Sequence, residues 1–161
     1  MAGADSLAEE LADIAARADL TIAVAESLTA GNLAAALGAA PDAGQWFRGG
    51  VVAYSRYVKH HVLDVPLGPV VCRTAAEAMA NGVRKMMDAT VSVAVTGAGG
   101  PDPQDGHEPG SVWFAVATEG SCEASHRTFD GEPGEVLEQT VEHALRLLHT
   151  EAEKLSARHS G

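Results

Sequence analysis

The fold is decided by the stretch Thr21-Ile22-Ala23-Val24-Ala25-Glu26-Ser27-Leu28-Thr29-Ala30-Gly31, which joins a short β-branched run to small, helix-forming residues. This pattern predicts a buried strand over 21–24 that turns directly into a helix from Leu28 onward. Ser27 then lies at the strand-to-helix junction, where the first helical N–H groups have no partner and the helix dipole adds partial positive charge. A serine there is either an N-cap, the commoner role, or a nucleophile, and this stretch alone leaves both open.

The length of 161 residues fits one domain, 1–161, with a structured core expected over about 5–155. Hydrophobic residues make up 46% of the chain, which excludes a disordered protein. No apolar run approaches the roughly 20 residues needed to cross a bilayer, and no basic segment followed by an apolar core begins the chain. We therefore expect a soluble, cytoplasmic protein.

The formal net charge is −11, from 11 basic and 22 acidic residues. This charge disfavours binding to nucleic acid and to anionic membranes, but it leaves room for an anionic small molecule held by local backbone N–H groups. Cys72 and Cys122 lie far apart, and the seven histidines show no metal-ligand spacing. We expect no metal and no cofactor.

Outward from the Ser27 stretch, helical and strand patterns alternate along the chain. A three-layer α/β/α sandwich is predicted, with a mixed, mostly parallel sheet of about five strands that includes one antiparallel strand. The predicted helices are 5–18, 28–37, 56–63 with Ser55 as its cap, 73–87 and 135–155; the other strands are 46–55, 90–96, 111–118 and 122–129, the last two joined as a hairpin, with a turn at 38–44.

Ligands of such sheets collect beyond the carboxyl ends of the strands. Three polar segments follow predicted strands and are expected to converge there: Glu26-Ser27, Tyr54-Ser55 with Lys59 one turn later, and 96–106. The loop that begins at Gly97 is either a phosphate cradle, because glycine permits close approach, or a plain surface turn. It lacks a following Gly-Lys-Ser/Thr, so nucleoside triphosphate binding is not supported.

Five motifs follow one another in register along the chain: 25–31, Trp46-Phe47 with Gly49-Gly50, 53–59, 97–101 and 109–113. Together they resemble the CinA C-terminal domain family over residues 5 to 150, a family that includes nicotinamide mononucleotide amidohydrolases. The resemblance implies a metal-independent hydrolase that converts nicotinamide mononucleotide to nicotinic acid mononucleotide and ammonia in pyridine-nucleotide salvage. We also expect a homo-oligomer.

By this resemblance Ser27 is the nucleophile, while Tyr54 and Lys59 match the family's tyrosine and lysine base. Lysine serves as a base only if it is kept neutral, and backbone N–H groups at the start of the Leu28 helix would stabilise the oxyanion. The substrate-binding candidates are Glu26, Thr29, Gly31, Gly97, Gly99 and Gly100.

Each candidate also has a structural interpretation. Lys59 can be a solvated charge on a surface helix, and Tyr54 an aromatic at the edge of the core. Glu26 orients a substrate hydroxyl or the lysine, or it simply favours the positive end of the helix dipole. Thr29 bonds either backbone or substrate phosphate.

The chain also departs from the family pattern. The family's segment Phe-x-Gly-Asp-Arg, with more arginine a turn later, reads Phe129-Asp130-Gly131-Glu132-Pro133 here, so Pro133, Leu137 and Glu138 stand where basic residues are usual. Arg48, Arg56 and Arg73 are possible substitutes in holding a phosphate. A catalytically weakened binding or regulatory module, or an amidase for a different small amide, is therefore the alternative function.

Overall fold

The computed structural model describes residues 2–98 and 106–160, so Gly99 and Gly100 lie outside the described residues. Helices and strands alternate through the first two-thirds of the chain, and a β-hairpin and a long helix complete it. The helices are α1 Ala2–Ala18, α2 Asn32–Gly38, α3 Ala43–Trp46, α4 Arg56–Val62, α5 Arg73–Met86 and α6 Pro133–Ser160, and the strands are β1 Ile22–Glu26, β2 Phe47–Val52, β3 Val91–Gly97, β4 Ser111–Ala117 and β5 Cys122–Thr128.

The five strands form one mixed sheet in the order β2-β1-β3-β4-β5. The strand β1 pairs in parallel with β2 and β3, whereas β4 is antiparallel to both β3 and β5. Four strands therefore run in one direction and only β4 runs in the other. The carboxyl ends of β1, β2, β3 and β5 and the start of β4 consequently lie at one edge, the carboxyl edge of the sheet.

Helices cover both faces, which confirms the three-layer α/β/α sandwich. One apolar cluster packs α1, α2 and α6 against Ile22 and Val24 of β1. The other packs α5 and the residues around α4 against Ala23 and Ala25. This alternation along β1 follows from the period of two in a strand, and we call the two sides the α6 face and the α5 face.

Several sequence predictions are confirmed closely. Ser55 caps α4 by accepting a hydrogen bond from the Val58 N–H at 3.2 Å. The uncharged strand around Val93 is central in the sheet and buried along its whole length. The β4–β5 hairpin and the long last helix also form as predicted.

Three boundaries were wrong. The helix predicted from Leu28 begins at Asn32, for a reason given below. The predicted turn over 38–44 runs into the short helix α3, whose Trp46 ring is buried and donates to the Pro41 carbonyl at 3.0 Å. Gly97 is not in a loop but ends β3, where it pairs with Val112.

Candidate functional site at the carboxyl edge

The ends of β1 and β2 meet at the carboxyl edge. The Ala53 N–H donates to the Glu26 carbonyl at 2.7 Å, so the next residues, Ser27 and Tyr54, leave the sheet side by side. From this point the chain after β1 enters α2 on the α6 face, while the chain after β2 enters α4 and α5 on the other face. Neighbouring strands whose connections diverge in this way open a crevice between them, and α/β proteins bind ligands in such a crevice.

Glu26 is fully buried, and its carboxylate caps α2. One oxygen, Oε1, accepts from the N–H groups of Gly31 at 3.1 Å and Leu33 at 2.9 Å, and Oε2 accepts from Ala34 at 2.8 Å. The negative charge therefore lies at the positive end of the helix dipole. This geometry favours the structural interpretation of Glu26, because both oxygens are already used by the backbone.

This cap explains why the helix does not start at Leu28. Residues 27–31 form a turn in which Ala30 and Gly31 have positive φ angles of 48° and 104°. Such angles cannot continue a right-handed helix, and glycine adopts them without steric cost. The helix begins only where the Glu26 carboxylate satisfies its first N–H groups. The predicted helix start at Leu28 is therefore wrong, and the N–H groups there belong to a turn rather than to a helix N-terminus.

The turn leaves other donors unused. The N–H groups of Leu28 and Thr29 make no hydrogen bond with any residue in 2–98 or 106–160. The Thr29 side chain is fully buried, and its Oγ1 also has no partner among those residues. Buried polar groups are almost always paired in proteins, because leaving one unpaired costs about 1–3 kcal/mol. Unpaired groups clustered within two residues of Ser27 are typical of a site that a ligand completes.

Ser27 is 5% exposed, and its hydroxyl makes no hydrogen bond within the described chain. The N-cap interpretation is therefore wrong: the N-cap residue of α2 is Gly31, and the carboxylate of Glu26 supplies the capping bonds. Continued one residue past β1, the strand alternation places Ser27 on the α5 face.

Lys59 lies on the same face and is only 1% exposed. Its neighbours Val58 and Leu63 pack in the apolar cluster of the α5 face, and Leu63 lies one turn further on the same side of the helix. The alternative interpretation of Lys59 as a solvated charge on a surface helix is thus wrong. The Nζ atom donates to the Tyr54 carbonyl at 3.4 Å, which holds the amine beside the end of β2.

The three catalytic candidates are brought to one edge, but no hydrogen bond joins the side chains of any two of them. No hydrogen bond joins Ser27 Oγ to Lys59 Nζ, both of which lie in the described chain. The Tyr54 side chain is 68% exposed, and Lys59 contacts its backbone carbonyl rather than its hydroxyl. Hydrogen bonds between catalytic groups are often long in ligand-free enzymes and shorten when substrate binds.

Of the glycine candidates, Gly31 belongs to the turn and donates to Glu26. Gly97 has a packing role, because a Cβ there would lie 2.8 Å from the Ser111 carbonyl oxygen. Gly99 and Gly100 are outside the described residues, so the predicted phosphate cradle stays a prediction.

The sequence interpretation named Thr96 only as the start of the polar segment 96–106, and it did not single out Ser111 or His126; all three lie at this edge. Thr96 Oγ1 donates to the Val70 carbonyl at 2.5 Å. Ser111 Oγ lies 2.7 Å from His126 Nε2. The period of two along β4 and β5 was a usable signal for the second pair, since it places Ser111, Trp113 and His126 on one face.

Within residues 2–98 and 106–160, no three His, Cys, Asp or Glu side chains lie close enough together to hold a metal ion. Over the same residues, the helices include none with the length and apolar character required to span a bilayer. These findings concern only the described chain.

The fold and this edge together define an α/β protein of the kind whose ligand site lies beyond the carboxyl ends of its parallel strands. Residues 4–152 match the model of the CinA C-terminal domain, and the chain belongs to that family. This confirms the resemblance drawn from the sequence motifs.

Relatives and solved structures agree with this assignment. A putative competence-damage inducible protein of Bacillus velezensis is 34% identical over 148 residues, which cover 89% of this chain and 36% of the relative. A CinA-like protein of Gemmatimonas aurantiaca is 37% identical over 149 residues, covering 89% and 35%. The chain thus spans about a third of the length of these relatives.

Solved structures match over nearly their whole length. A CinA superfamily protein from Klebsiella pneumoniae superposes with a TM-score of 0.89 at 30% identity, covering 94% of this chain and 98% of that one. One from Escherichia coli gives 0.85 at 35% identity, covering 91% and 90%. The architecture described above is therefore that of the family.

Proposed function

We propose that this chain is a metal-independent amidohydrolase that converts nicotinamide mononucleotide to nicotinic acid mononucleotide and ammonia, with Ser27 as the nucleophile. The observation that carries the proposal is the state of the Ser27–Gly31 turn. The hydroxyls of Ser27 and Thr29 and the N–H groups of Leu28 and Thr29 make no hydrogen bond within the described chain, while the carboxylate of the preceding Glu26 is fully used as a helix cap.

The chemistry needs a base, and Lys59 is the candidate. It lies on the same face as Ser27 and is shielded from water, the condition in which a lysine amine can act as a base. In its neutral form Lys59 takes the Ser27 proton as Oγ attacks the carboxamide carbon. The C–N bond then breaks, the proton passes to the leaving nitrogen, and ammonia departs. Water attacks the resulting ester and restores Ser27.

The oxyanion needs donors that point at the reacting carbon. The unused N–H groups of Leu28 and Thr29 and the Thr29 hydroxyl are the candidates, and they replace the helix start named by the sequence interpretation. In other acyl-transfer enzymes one such donor is worth about 3–4 kcal/mol. Tyr54 is assigned no proton transfer, because its exposed ring is better suited to contact the substrate.

Ammonia release from nicotinamide mononucleotide tests the proposal, with EDTA present to remove any metal. We expect wild type to be active, Ser27→Ala to be inactive and the matched control Ser6→Ala, on the exposed side of α1, to resemble wild type. Equal activity in Ser27→Ala would contradict the serine mechanism, and loss of wild-type activity in EDTA would contradict metal independence.

A binding or regulatory module is the second candidate function. The observation that favours it is the lack of a hydrogen bond between Ser27 and Lys59. A folded wild-type protein that binds nicotinamide mononucleotide but releases no ammonia would establish this alternative. Hydrolysis of another small amide, with none of the nucleotide, would instead identify a different substrate.

A further inference from the structure

A cluster of side chains on the α5 face, outside the catalytic candidates, is built around the Trp113 indole. The His126 ring lies beside it on β5, with ring centroids 5.1 Å apart and planes at 50°. The Arg73 guanidinium lies over it from the first residue of α5, with Cζ 5.2 Å from the ring centroid. Ser111 Oγ, itself 95% buried as a residue, holds His126 Nε2 at 2.7 Å. We call these four residues the Trp113 cluster.

The guanidinium N–H groups of Arg73 are available to a ligand. Arg73 makes no ion pair or hydrogen bond with any described residue, whereas Arg17 and Arg146 are each paired with an acid one turn away. The cation–π contact with Trp113 holds the guanidinium over the ring and leaves its N–H groups available to a ligand. A planar fork of N–H donors matches the oxygens of a phosphate.

His126 contacts the same indole as Arg73. Its Nε2 lies against Ser111, and its Nδ1 has no partner within the described chain. When the Ser111 hydroxyl donates to Nε2, the ring carries its proton on Nδ1, which is then a donor. In that tautomer His126 offers a second donor to a ligand at the cluster.

The register of the sheet aligns this cluster with the nucleophile. Ala25 pairs with Ala94, so Ser27 is level with Thr96, which pairs with Trp113, which pairs with His126. Strands are about 4.8 Å apart, so Trp113 is roughly 10 Å from Ser27 across the edge. This separation is comparable to that between the base and the phosphate of a mononucleotide.

The structure distinguishes the three arginines that the sequence analysis named as substitutes in holding a phosphate. Arg48 is the second residue of β2 and lies toward the opposite edge. Arg56 is at the carboxyl edge but donates to the Gly68 carbonyl at 3.3 Å. Arg73 joins the cluster, and the segment just before it is fixed by the bond from Thr96 to Val70.

We propose that Arg73, His126 and Trp113 form the subsite for the phosphate monoester of the substrate. The identity of this substrate rests on the proposed function. The subsite takes the role of the family's basic residues, whose positions are occupied here by Pro133, Leu137 and Glu138. The phosphate lies between the Arg73 fork and His126 Nδ1, and the amide lies about two strands away at Ser27. The chain's charge of −11 makes such a local cation necessary for an anionic ligand.

The test measures binding to Ser27→Ala, which cannot turn the substrate over, by titration calorimetry. Nicotinamide mononucleotide is compared with nicotinamide riboside, which lacks the phosphate. Adding Arg73→Ala or His126→Ala is expected to weaken binding of the nucleotide about 10- to 100-fold, the worth of a charged hydrogen bond, and to leave riboside binding unchanged. Arg48→Ala is the matched control and is expected to change neither.

The outcomes separate the two proposals. Unchanged nucleotide affinity in Arg73→Ala, or equal weakening for nucleotide and riboside, overturns the subsite whatever the ammonia assay gives. Absence of nucleotide binding by Ser27→Ala also overturns it. A third outcome is that binding depends on the phosphate and is lost in Arg73→Ala, while the wild type releases no ammonia. This outcome supports the subsite and overturns the amidohydrolase proposal.

Discussion

The two edges of the sheet differ in how far their polar groups are paired within the described chain. The amino edge holds an open groove of ≈ 1060 Å³ between α5, α6 and the β4–β5 hairpin. The carboxyl edge instead holds most of the buried polar side chains. Of the nine in the described chain, six lie there: Glu26, Ser27, Thr29, Lys59, Thr96 and Ser111.

The polar groups of the amino edge largely satisfy one another. Four hydrogen bonds of 2.7–3.1 Å join Thr21 and Thr90. Arg84 donates to the Ala89 carbonyl at 3.4 Å, although its Nε has no partner among the described residues. Charges along the groove also balance, three against three: Arg84, Lys85 and Arg158 against Asp19, Asp88 and Glu119. Unpaired buried donors close to a hydroxyl therefore mark the functional edge.

The largest effect on stability is expected at the Glu26 cap. Glu26→Gln keeps the shape but removes the charge and turns an NH₂ group toward backbone N–H donors. We expect the free energy of unfolding to fall by about 3 kcal/mol, as measured by urea denaturation. Glu119→Gln, at the exposed amino edge, is the control and should change it by less than about 0.5 kcal/mol. If the two variants were equally stable, the capping role of Glu26 and the contrast between the two edges would be contradicted.

A smaller effect of opposite sign is expected at Thr29. Thr29→Val removes an unpaired buried hydroxyl at nearly constant volume, so the unfolding free energy should rise by about 1 kcal/mol. Turnover should fall about 10- to 100-fold if Oγ1 contacts the oxyanion. Thr29→Ser is the control, and it should retain turnover. A valine variant that is more stable and fully active would show that the hydroxyl has no role in catalysis.

The smallest effect is expected on the pH dependence of stability and comes from His143, which is partly buried outside the candidate site. Burial, followed by the nearby Arg127 and Arg146, lowers the pKa of His143, whose ring packs between Phe114 and Phe129. The unfolded chain therefore binds this proton at a higher pH than the folded chain. Stability is present above the ordinary histidine pKa of about 6.5 and is lost as the pH falls below it.

His143→Phe should reduce this loss of stability between pH 7 and pH 5, measured by thermal unfolding at each pH. The exposed His61, changed to Phe, is the matched control and should leave the pH dependence as in wild type. A steeper decline in His143→Phe would show that the sign assigned to this group is wrong.

Local signals in the sequence sufficed for much of the fold. The hydroxyl of Ser55 before a polar helix start, the uncharged run around Val93 and the hairpin after Thr118 each specify structure through neighbours in the chain. The motifs around Ser27, Tyr54 and Gly49-Gly50 likewise identified the family without any coordinates.

The features that the sequence did not predict depend on contacts between distant residues, or on a side chain that overrides local helix propensity. Leu28 and Ala30 favour a helix, but the Glu26 carboxylate makes Asn32 the start and leaves a turn before it. Lys59 looked solvated because its burial depends on β2 and α5, although its i+4 spacing from Leu63 was a usable signal. The Trp113 cluster brings α5 together with β4 and β5. The period of two places Ser111, Trp113 and His126 on one face, but no local pattern places Arg73 beside them.

The most direct measurement of the central claim compares a buried lysine at one edge with an exposed lysine at the other. Ammonia release from nicotinamide mononucleotide is followed for Lys59→Met and for Lys85→Met, with circular dichroism confirming that both fold. The account predicts a loss of at least about 100-fold for Lys59→Met, typical of removing a general base, and wild-type turnover for Lys85→Met. Wild-type turnover by Lys59→Met would contradict it.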